Sequence, residues 1–383
     1  MKRIDNLKIL NVVLSLAPGG LENGVVNIAR ALDPERFHID VCCLESAGGF
    51  STRLPESSRV RVLGKGPGFS SAAVWKLAKV IREIRPDVVH SHNLGNLIYA
   101  GLATGWGRWR PIVHSEHGQL DSDDLSPRRL RQRRLLYRSC RTVHAVSNGL
   151  REHLAELGLP ASKIRVLVNG VDTSRFSPGP AVTARQELGL DVRGPVLGIV
   201  SRFTPGKRNE LVFAAFERLS RIWPHAQLLV VGYGPDHDRL TSLARASRNA
   251  GRIRMAGFQE DPRPYYRAMD LLVTPSLIEG MSYVVLEAMS CGVPALTHTA
   301  CGNAEIIVPG ESGFVADLKD EEVLFLELHR VLGNPERLLH AGRQARERIL
   351  CHFSLSQAAR QYERLYTETA TNSASHLRTV YES

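Results

Sequence analysis

The sequence predicts an α/β protein made of two doubly wound domains. Near-continuous Val/Ile/Leu runs alternate with segments of helical period along the chain. Such runs suit parallel strands covered on both faces, since a one-sided sheet would alternate polar and apolar residues. The alternation occurs twice, on either side of the polar, Pro- and Gly-rich stretch "NGVDTSRFSPGPAV" at 169–182, which has the composition of a linker. A chain of 383 residues also exceeds what one ordinary core organises.

In the first half, strands are expected at "KILNVVLSL", "HIDVCCL", "VRVLG", "DVVHSH", "PIVHSEH", "TVHAVS" and "IRVLVNG". Helices are expected at "GVVNIARAL", "AAVWKLAKVIREI" and "NGLREHLAELG". The second half offers strands "VLGIVSRF", "AQLLVVGYG", "IRMAGF", "DLLVTPS" and "VPALTH", with a helix at "NELVFAAFERLSRI". After "GFVAD" the chain is expected to be helical to about residue 370, and "TNSASHLRTVYES" to be a loose tail. The basic, then apolar N-terminus looks like a secretory leader only superficially. Gly-Gly and a helical pattern follow it without a small-residue cleavage site, so "LKILNVVLSL" reads as the first buried strand. No apolar run reaches the length of about 18 residues that a transmembrane helix needs.

A hydrophobic share of 43% and a charged share of 23% are those of a soluble globular chain. The net charge of +10 suits acidic partners: nucleic acid, anionic lipid or phosphorylated small molecules. Six cysteines occur, none in a CxxC pair, and they read as free thiols of a reducing compartment.

Ligands of open α/β sheets bind beyond the C-terminal strand ends, so residues that end strands are the informative ones. "LAPGGLENGVVNIAR" follows the first strand, and its Gly19 and Gly20 make either a plain strand-to-helix turn or a loop that admits an anion. "VGYGPDHDRL" has Gly232 and Gly234 but lacks the further glycine of a dinucleotide fingerprint. "VSRFTPGKRNE" puts Arg202 and Lys207 on one loop, as a diphosphate clamp or as two solvated cations. "HSHN" and "HSEHG" end strands with His90, His92, Asn93, His114, Glu116, His117 and Gly118. Those histidines would orient substrate, transfer protons, ligate a metal with Glu116, or serve the fold alone. Without a DxD-type carboxylate pair, no metal is expected. "PRRLRQRRLLYRSCR", 127–141, carries seven arginines. It reads as a solvated face or as a basic amphipathic helix on anionic lipid. Sparse aromatic interleaving and the lack of a nucleic-acid motif speak against nucleic acid.

"LIEGMSYVVLEAMSCGVPAL", 277–296, sets Glu279 and Glu287 eight positions apart around a helix expected from about Ser282 to Ser290. Free amides near Ser282, Tyr283 and Val284 would welcome phosphate. Carboxylates are poor phosphate ligands and good acceptors for hydroxyls, so the set reads as a site for a sugar on a diphosphate. Glu287 stands among Val284, Val285, Leu286, Ala288 and Met289, and a buried carboxylate needs partners.

At this point "PSLIEGMSYVVLEAMSCGVPALTHTACGNAEII" resembles the E-x(7)-E signature of glycosyltransferase family 4, the retaining transferases of GT-B fold. "APGGLENGVVNIARAL", "HSHN", "EHG", "VSNGLREHL", "VLVNGVDTSRFSP", "SRFTPGK", "LLVVGYGP", "MAGF" and "YERLY" extend the resemblance along nearly the whole chain. The opening "GGLENGVVNIARAL" is also similar, more weakly, to sugar transferases of bacterial exopolysaccharide clusters. The resemblance implies two Rossmann-like domains facing across a cleft. Residues 1–175 would form the acceptor-side domain and 176–352 the nucleotide-sugar domain. A helix over 353–370 would cross back to the first domain, ahead of a tail at 371–383.

The resemblance also implies roles. Glu279 would contact the donor sugar beside Gly280 and Met281, and Glu287 the ribose hydroxyls. Arg202 and Lys207, with the amides of Ser282, Tyr283 and Val284, would neutralise the leaving diphosphate. His117 would lie against the donor sugar, Gly19 and Gly20 would admit the donor phosphates, and Phe258 would flank the base. The implied enzyme is a metal-independent, retaining, hexosyltransferase-type glycosyltransferase without a cofactor. Its donor would be a nucleoside diphosphate sugar, UDP rather than GDP, and its acceptor a glycan or polyprenyl-linked saccharide of bacterial cell-surface or exopolysaccharide biosynthesis. It would be cytoplasmic and peripheral on the inner face of the plasma membrane, touching anionic lipid through Arg128 to Arg141 and binding no nucleic acid. The alternative is a GT-B-type nucleotide-sugar epimerase, which would isomerise its donor without an acceptor. Family members often carry Phe-Gly after the Glu-Gly, where this chain has Met281 and Ser282, and donor choice is expected to lie there. Their frequent Gly-Gly pair is here Cys301-Gly302.

Overall fold

A computed structural model of the chain describes residues 6–120, 124–277, 279–299 and 301–381. The chain divides into two compact units, one running up to Gly170 and resuming at Leu355, the other Val171–Ser354.

The first unit runs β1 (Leu7–Ser15), α1 (Gly20–Ala31), β2 (Phe37–Ser46), β3 (Val60–Val62), α2 (Ser71–Ile84), β4 (Val88–His92), α3 (Asn93–Ala103), β5 (Ile112–Glu116), α4 (Pro127–Ser139), β6 (Thr142–Ala145), α5 (Asn148–Glu156) and β7 (Ile164–Val166). Its strands form one seven-stranded sheet, β3-β2-β1-β4-β5-β6-β7, in which every pairing is parallel. The apolar runs become strands because both faces are covered. Leu10, Val12 and Val89 face Leu77, Ile81 and Ala100 of α2 and α3. Leu7, Ile9 and Val88 face the other way, onto Ile28 of α1 and onto a segment from the far end of the chain. The leader-like segment Leu7–Ser15 is thus β1, an interior strand paired with β2 and β4.

The second unit runs α6 (Ala181–Glu187), β8 (Val196–Arg202), α7 (Asn209–Ile222), β9 (Gln227–Tyr233), α8 (His237–Ala246), β10 (Ile253–Gly257), α9 (Arg263–Ala268), β11 (Leu271–Thr274), α10 (Tyr283–Ser290), β12 (Ala295–His298), α11 (Cys301–Ile306), β13 (Phe314–Ala316), α12 (Glu321–Leu332) and α13 (Pro335–His352). Six parallel strands pair in the order β10-β9-β8-β11-β12-β13. Two elements carry no clear signal in the sequence. β13 is three residues long at a sheet edge. α3 is apolar on almost every side, because it is buried from Leu94 to Ala103, so it shows no amphipathic stripe.

After α13 the chain enters α14, Leu355–Tyr381, and this helix belongs to the first unit. Ala358, Tyr362, Leu365 and Tyr366 pack on Leu7, Ile9, Phe37 and Val88, and Arg36 pairs with Glu363 at 3.2 Å. The tail expected to be loose from residue 371 is helical to Tyr381. "TNSASHLRTVY" contains neither Gly nor Pro to stop it; 382–383 lie outside the described residues. Because α14 supplies one wall of the first unit's core, Leu365→Ala should destabilise that unit by about 2–5 kcal/mol. Urea unfolding followed by a probe in that unit measures this.

Candidate active site

In the second unit, neighbours β8 and β11 send their following connections into different layers. β8 leads to α7, packed with α12, and β11 leads to α10, packed with α13. The backbone therefore opens beyond the C-terminal ends of β8 and β11, where doubly wound sheets bind ligands. Arg202 leaves β8 there with its side chain exposed, and it makes no hydrogen bond or ion pair among the described residues. The turn Pro205–Lys207 follows. Phe203, just before this turn, is pressed against the loop after β9, since a Cβ at Gly234 would stand 2.4 Å from the Phe203 carbonyl oxygen. The glycines of "VGYG" thus serve this close approach.

Lys207 reaches the loop after β11, where its Nζ donates to Oε1 of Glu279. Glu279 precedes Gly280, Met281 and the N-cap Ser282 of α10. Met281 and Gly280 are buried, while Ser282, Tyr283 and Val284 are half-buried. The amide of Ser282, expected to be open to phosphate, is already engaged: it donates to Oδ1 of Asn303 at 3.0 Å. Asn303 gets there because Gly302 lies against Gly280, where a Cβ would fall 1.3 Å from the Gly280 carbonyl oxygen. No side chain but hydrogen fits at 302.

About one turn into α10, Glu287 is 8% exposed. The Tyr266 hydroxyl on α9 donates to its Oε2 at 2.8 Å. Burial, and then the Glu287 charge, push the Tyr266 phenol well above its ordinary value, so it remains a donor. Tyr266 and Asn303 had no motif to betray them in the sequence. Phe258 follows β10, exposed at the same strand edge. No contact joins it or Arg202 to Glu279 among the described residues.

In the first unit, the strand order reverses between β1 and β4. Gly19, extended at φ −170°, caps α1, which starts at Gly20. A cavity of about 380 Å³ is lined by Leu21, Asn93, His117, Gln119, Arg129 and Arg133, among others. Asn93 opens α3 in the left-handed region at φ +62°, a conformation Asn tolerates better than most side chains.

The strand-end histidines form chains rather than a metal cage. His92 Nε2 lies 2.9 Å from Asn11 Oδ1, and its Nδ1 lies 2.9 Å from His117 Nε2. With the carboxamide oxygen of Asn11 accepting, His92 is protonated at Nε2 and accepts at Nδ1 from His117. His117 is thereby left with Nδ1 as an acceptor. His90 spans Tyr366 of α14 at 2.8 Å and Ser115 at 2.7 Å, and Ser115 bonds His144, which ends on the Leu167 carbonyl. Among the described residues no three metal-ligating side chains converge. His114 and Glu116 are bound to each other at 3.3 Å. Glu116 also accepts from Arg133 at 3.1 Å and Tyr137 at 2.6 Å. Burial opposes its ionisation, but His114, Arg133 and Tyr137 prevail and hold its carboxyl at about 2. Arg133 is therefore neither a solvated nor a lipid-facing arginine, because it ties α4 to the end of β5.

Burial keeps His90, His92, His117 and His144 neutral, each held below 6.5, His144 at about 4. An unfolded chain protonates them near 6.5. Above that value both states are neutral. As pH falls through it, only the unfolded state gains protons, and stability drops. Glu116 acts in the same direction, but only below its ordinary 4.5. Denaturant melts of the first unit should therefore show a loss between pH 6.5 and 5, on the order of 2 kcal/mol from His144 alone. A flat profile in that window would show that the histidines are not held neutral.

The chain is similar to known proteins over both units. The family model Glycosyltransferase Family 4 matches residues 18–175, and Glycosyl transferases group 1 matches 182–348. A UDP-Gal:alpha-D-GlcNAc-diphosphoundecaprenol alpha-1,3-galactosyltransferase of Escherichia coli is 26% identical over 96% of this chain and 98% of its own. A D-inositol 3-phosphate glycosyltransferase of Rhodococcus jostii is 29% identical over 68% of this chain, and the match spans 61% of that relative's length. The crystal structure of Anabaena HepE in complex with UDP and glucose superposes with a TM-score of 0.83 over 94% of this chain and 99% of its own, at 24% identity. With tandem models over both units and a shared two-sheet architecture, the chain belongs to glycosyltransferase family 4 and has the GT-B fold.

Proposed function

We propose that the chain is a retaining, metal-independent hexosyltransferase that uses a nucleoside diphosphate sugar, with UDP as the nucleotide. Its acceptor is a lipid-linked or glycan saccharide of bacterial cell-surface or exopolysaccharide assembly. One observation carries the reading: Glu279 and Glu287 stand on either side of the α10 N-terminus, the first bound by Lys207 and the second by Tyr266. Glu279 accepts hydroxyls of the donor sugar, with Met281 and Ser282 shaping the space around them. Glu287 keeps acceptor capacity for the ribose, since a carboxylate has about four lone-pair sites. Lys207 and the exposed Arg202 take up the charge of the departing diphosphate, and the first turn of α10 adds its dipole. The exposed ring of Phe258 stacks on the base. Gly19, Gly20 and His117 take their donor roles from the family resemblance alone.

The bond from the anomeric carbon to the diphosphate oxygen breaks, and the acceptor oxygen bonds that carbon on the same face. The acceptor's proton passes to the leaving phosphate. Fixed cations provide at this site the charge that a divalent metal would otherwise bring. The UDP of the HepE complex and the lipid diphosphate in the E. coli relative's name support the donor and acceptor classes. The exposed arginines between Arg128 and Arg141 support contact with an anionic bilayer, where such an acceptor would reside.

Thermal shift with UDP-, GDP- and ADP-sugars tests the donor, because a true donor stabilises the folded state by mass action. Glu279→Ala should abolish transfer while leaving the fold and the UDP-induced shift intact; wild-type turnover in that variant would dismiss the site. Tyr266→Phe should raise KM for the donor about ten-fold with a smaller change in kcat, because Glu287 loses the donor that orients it. An unchanged KM would mean that Glu287 does not hold the nucleotide.

A further inference from the structure

Helix α4 has no acidic residue. Its inner side is occupied by Arg133, Leu136 and Tyr137, which are buried, and Arg134 is held by the carbonyls of Leu157 and Gly158. Arg128, Arg131 and Arg138 are exposed, and their side chains make no hydrogen bond or ion pair among the described residues. Leu135 lies on the same stripe at helical spacing, 64% exposed. Nothing on this helix neutralises that face.

A second feature adjoins it. The turn "GWGRWR", 105–110, joins α3 to β5 and sits at the C-terminal end of α4. Gly107, at φ +80°, approaches so closely that a Cβ there would stand 2.8 Å from the Ser139 carbonyl oxygen. The Trp106 ring lies against Gly101, which also faces Leu136. From this turn Trp106 is 45% and Trp109 61% exposed, with the exposed Arg108 between them. An indole has an apolar body and one N–H, so exposed pairs beside cations match the headgroup layer of a bilayer. Arginines match anionic headgroups, and stable peripheral attachment takes two such signals together. Two indoles on one tight turn suit insertion; stacking of nucleic-acid bases needs aromatics spread along a groove.

We propose that the Trp106–Trp109 turn is an interfacial anchor for an anionic lipid bilayer: its indoles enter the headgroup layer while Arg128, Arg131 and Arg138 rest on the phosphates. This rests on the reading of α4 as the bilayer-facing helix. It adds an orientation to that reading. α4 has 13 residues and is about 20 Å long. The anchor sits at its last turn, while Arg129 and Arg133, nearer its start, line the cavity that holds His117. With α4 lying along the bilayer, that cavity sits near the headgroups, where the saccharide of a lipid-linked acceptor projects.

The test is co-sedimentation of the full chain with vesicles of phosphatidylglycerol and phosphatidylcholine, against vesicles of phosphatidylcholine alone. Brominated phosphatidylcholine serves as a quencher of tryptophan fluorescence. The native chain should bind the mixed vesicles and be quenched. Trp106→Ala/Trp109→Ala, and Trp109→Ala as the milder variant, should weaken binding about ten-fold or more and lose the quenching. Trp109→Ala should keep the native melting profile, and both variants should keep the donor-induced thermal shift. If the double variant binds as tightly as the native chain, the anchor is overturned while the arginine reading stands. If the native chain binds neither vesicle, both fall. If a single-stranded oligonucleotide displaces the chain from vesicles and its binding needs the same tryptophans, the surface is a nucleic-acid site and the anchor is overturned.

Discussion

A carboxylate taken out of water has to be met by donors, and much of this molecule is arranged around two such groups. Glu116 ends β5 with His114, Arg133 and Tyr137 on it. Glu287 sits inside α10 with the hydroxyl of Tyr266 on it. Removing one hydrogen-bond donor from such a buried charged group costs about 1.5–3 kcal/mol. Each carboxylate therefore holds a neighbouring element in place: Glu116 fixes α4 against the sheet, and Glu287 fixes α9 against α10. The doubly wound order of each sheet then leaves the loops after β8 and β11 open to carry chemistry.

Glu279 differs from both. It is half-buried, and its partner is Lys207, on the neighbouring strand-end loop. That pair joins the two loops that bracket the switch point of the second sheet. A ligand with hydroxyls and a diphosphate offers each member a replacement of the right polarity, hydroxyls for Glu279 and phosphate for Lys207. Arg202 is exposed and has no partner of this kind among the described residues, so its charge is already directed outward. The two cations on one loop are thus in different states before any ligand arrives.

The strands were legible because period-2 alternation is absent from them: Val, Ile and Leu run without interruption where both faces are covered. What the sequence concealed follows the same logic. α3 is buried nearly all round, so its pattern has no stripe to detect. Tyr266 and Asn303 act through contacts 21 residues away in the chain, and no local spacing encodes that. The histidines of "HSHN" and "HSEHG" were visible, but their chemistry was not. Side chains that alternate along adjacent parallel strands either converge on a metal or bond one another across the sheet, and only the register decides. Here β4, β5 and β6 align so that His90 meets Ser115 and Ser115 meets His144.

Arginine was the least legible residue type. Seven arginines within 127–141 look alike in the sequence, yet they divide by what they touch. Arg133 is spent inside on Glu116, and Arg134 on two carbonyls at the end of α5. Arg129 pairs loosely with Asp124 at 3.6 Å beside the cavity. Arg128, Arg131, Arg138 and Arg141 remain on the outside. A basic run of this kind is therefore two populations: one lowers the energy of the fold, and the other leaves a field at the surface. Only the second contributes to the attraction of an acidic partner, so the net charge of +10 overstates how many cations on this helix are available for it.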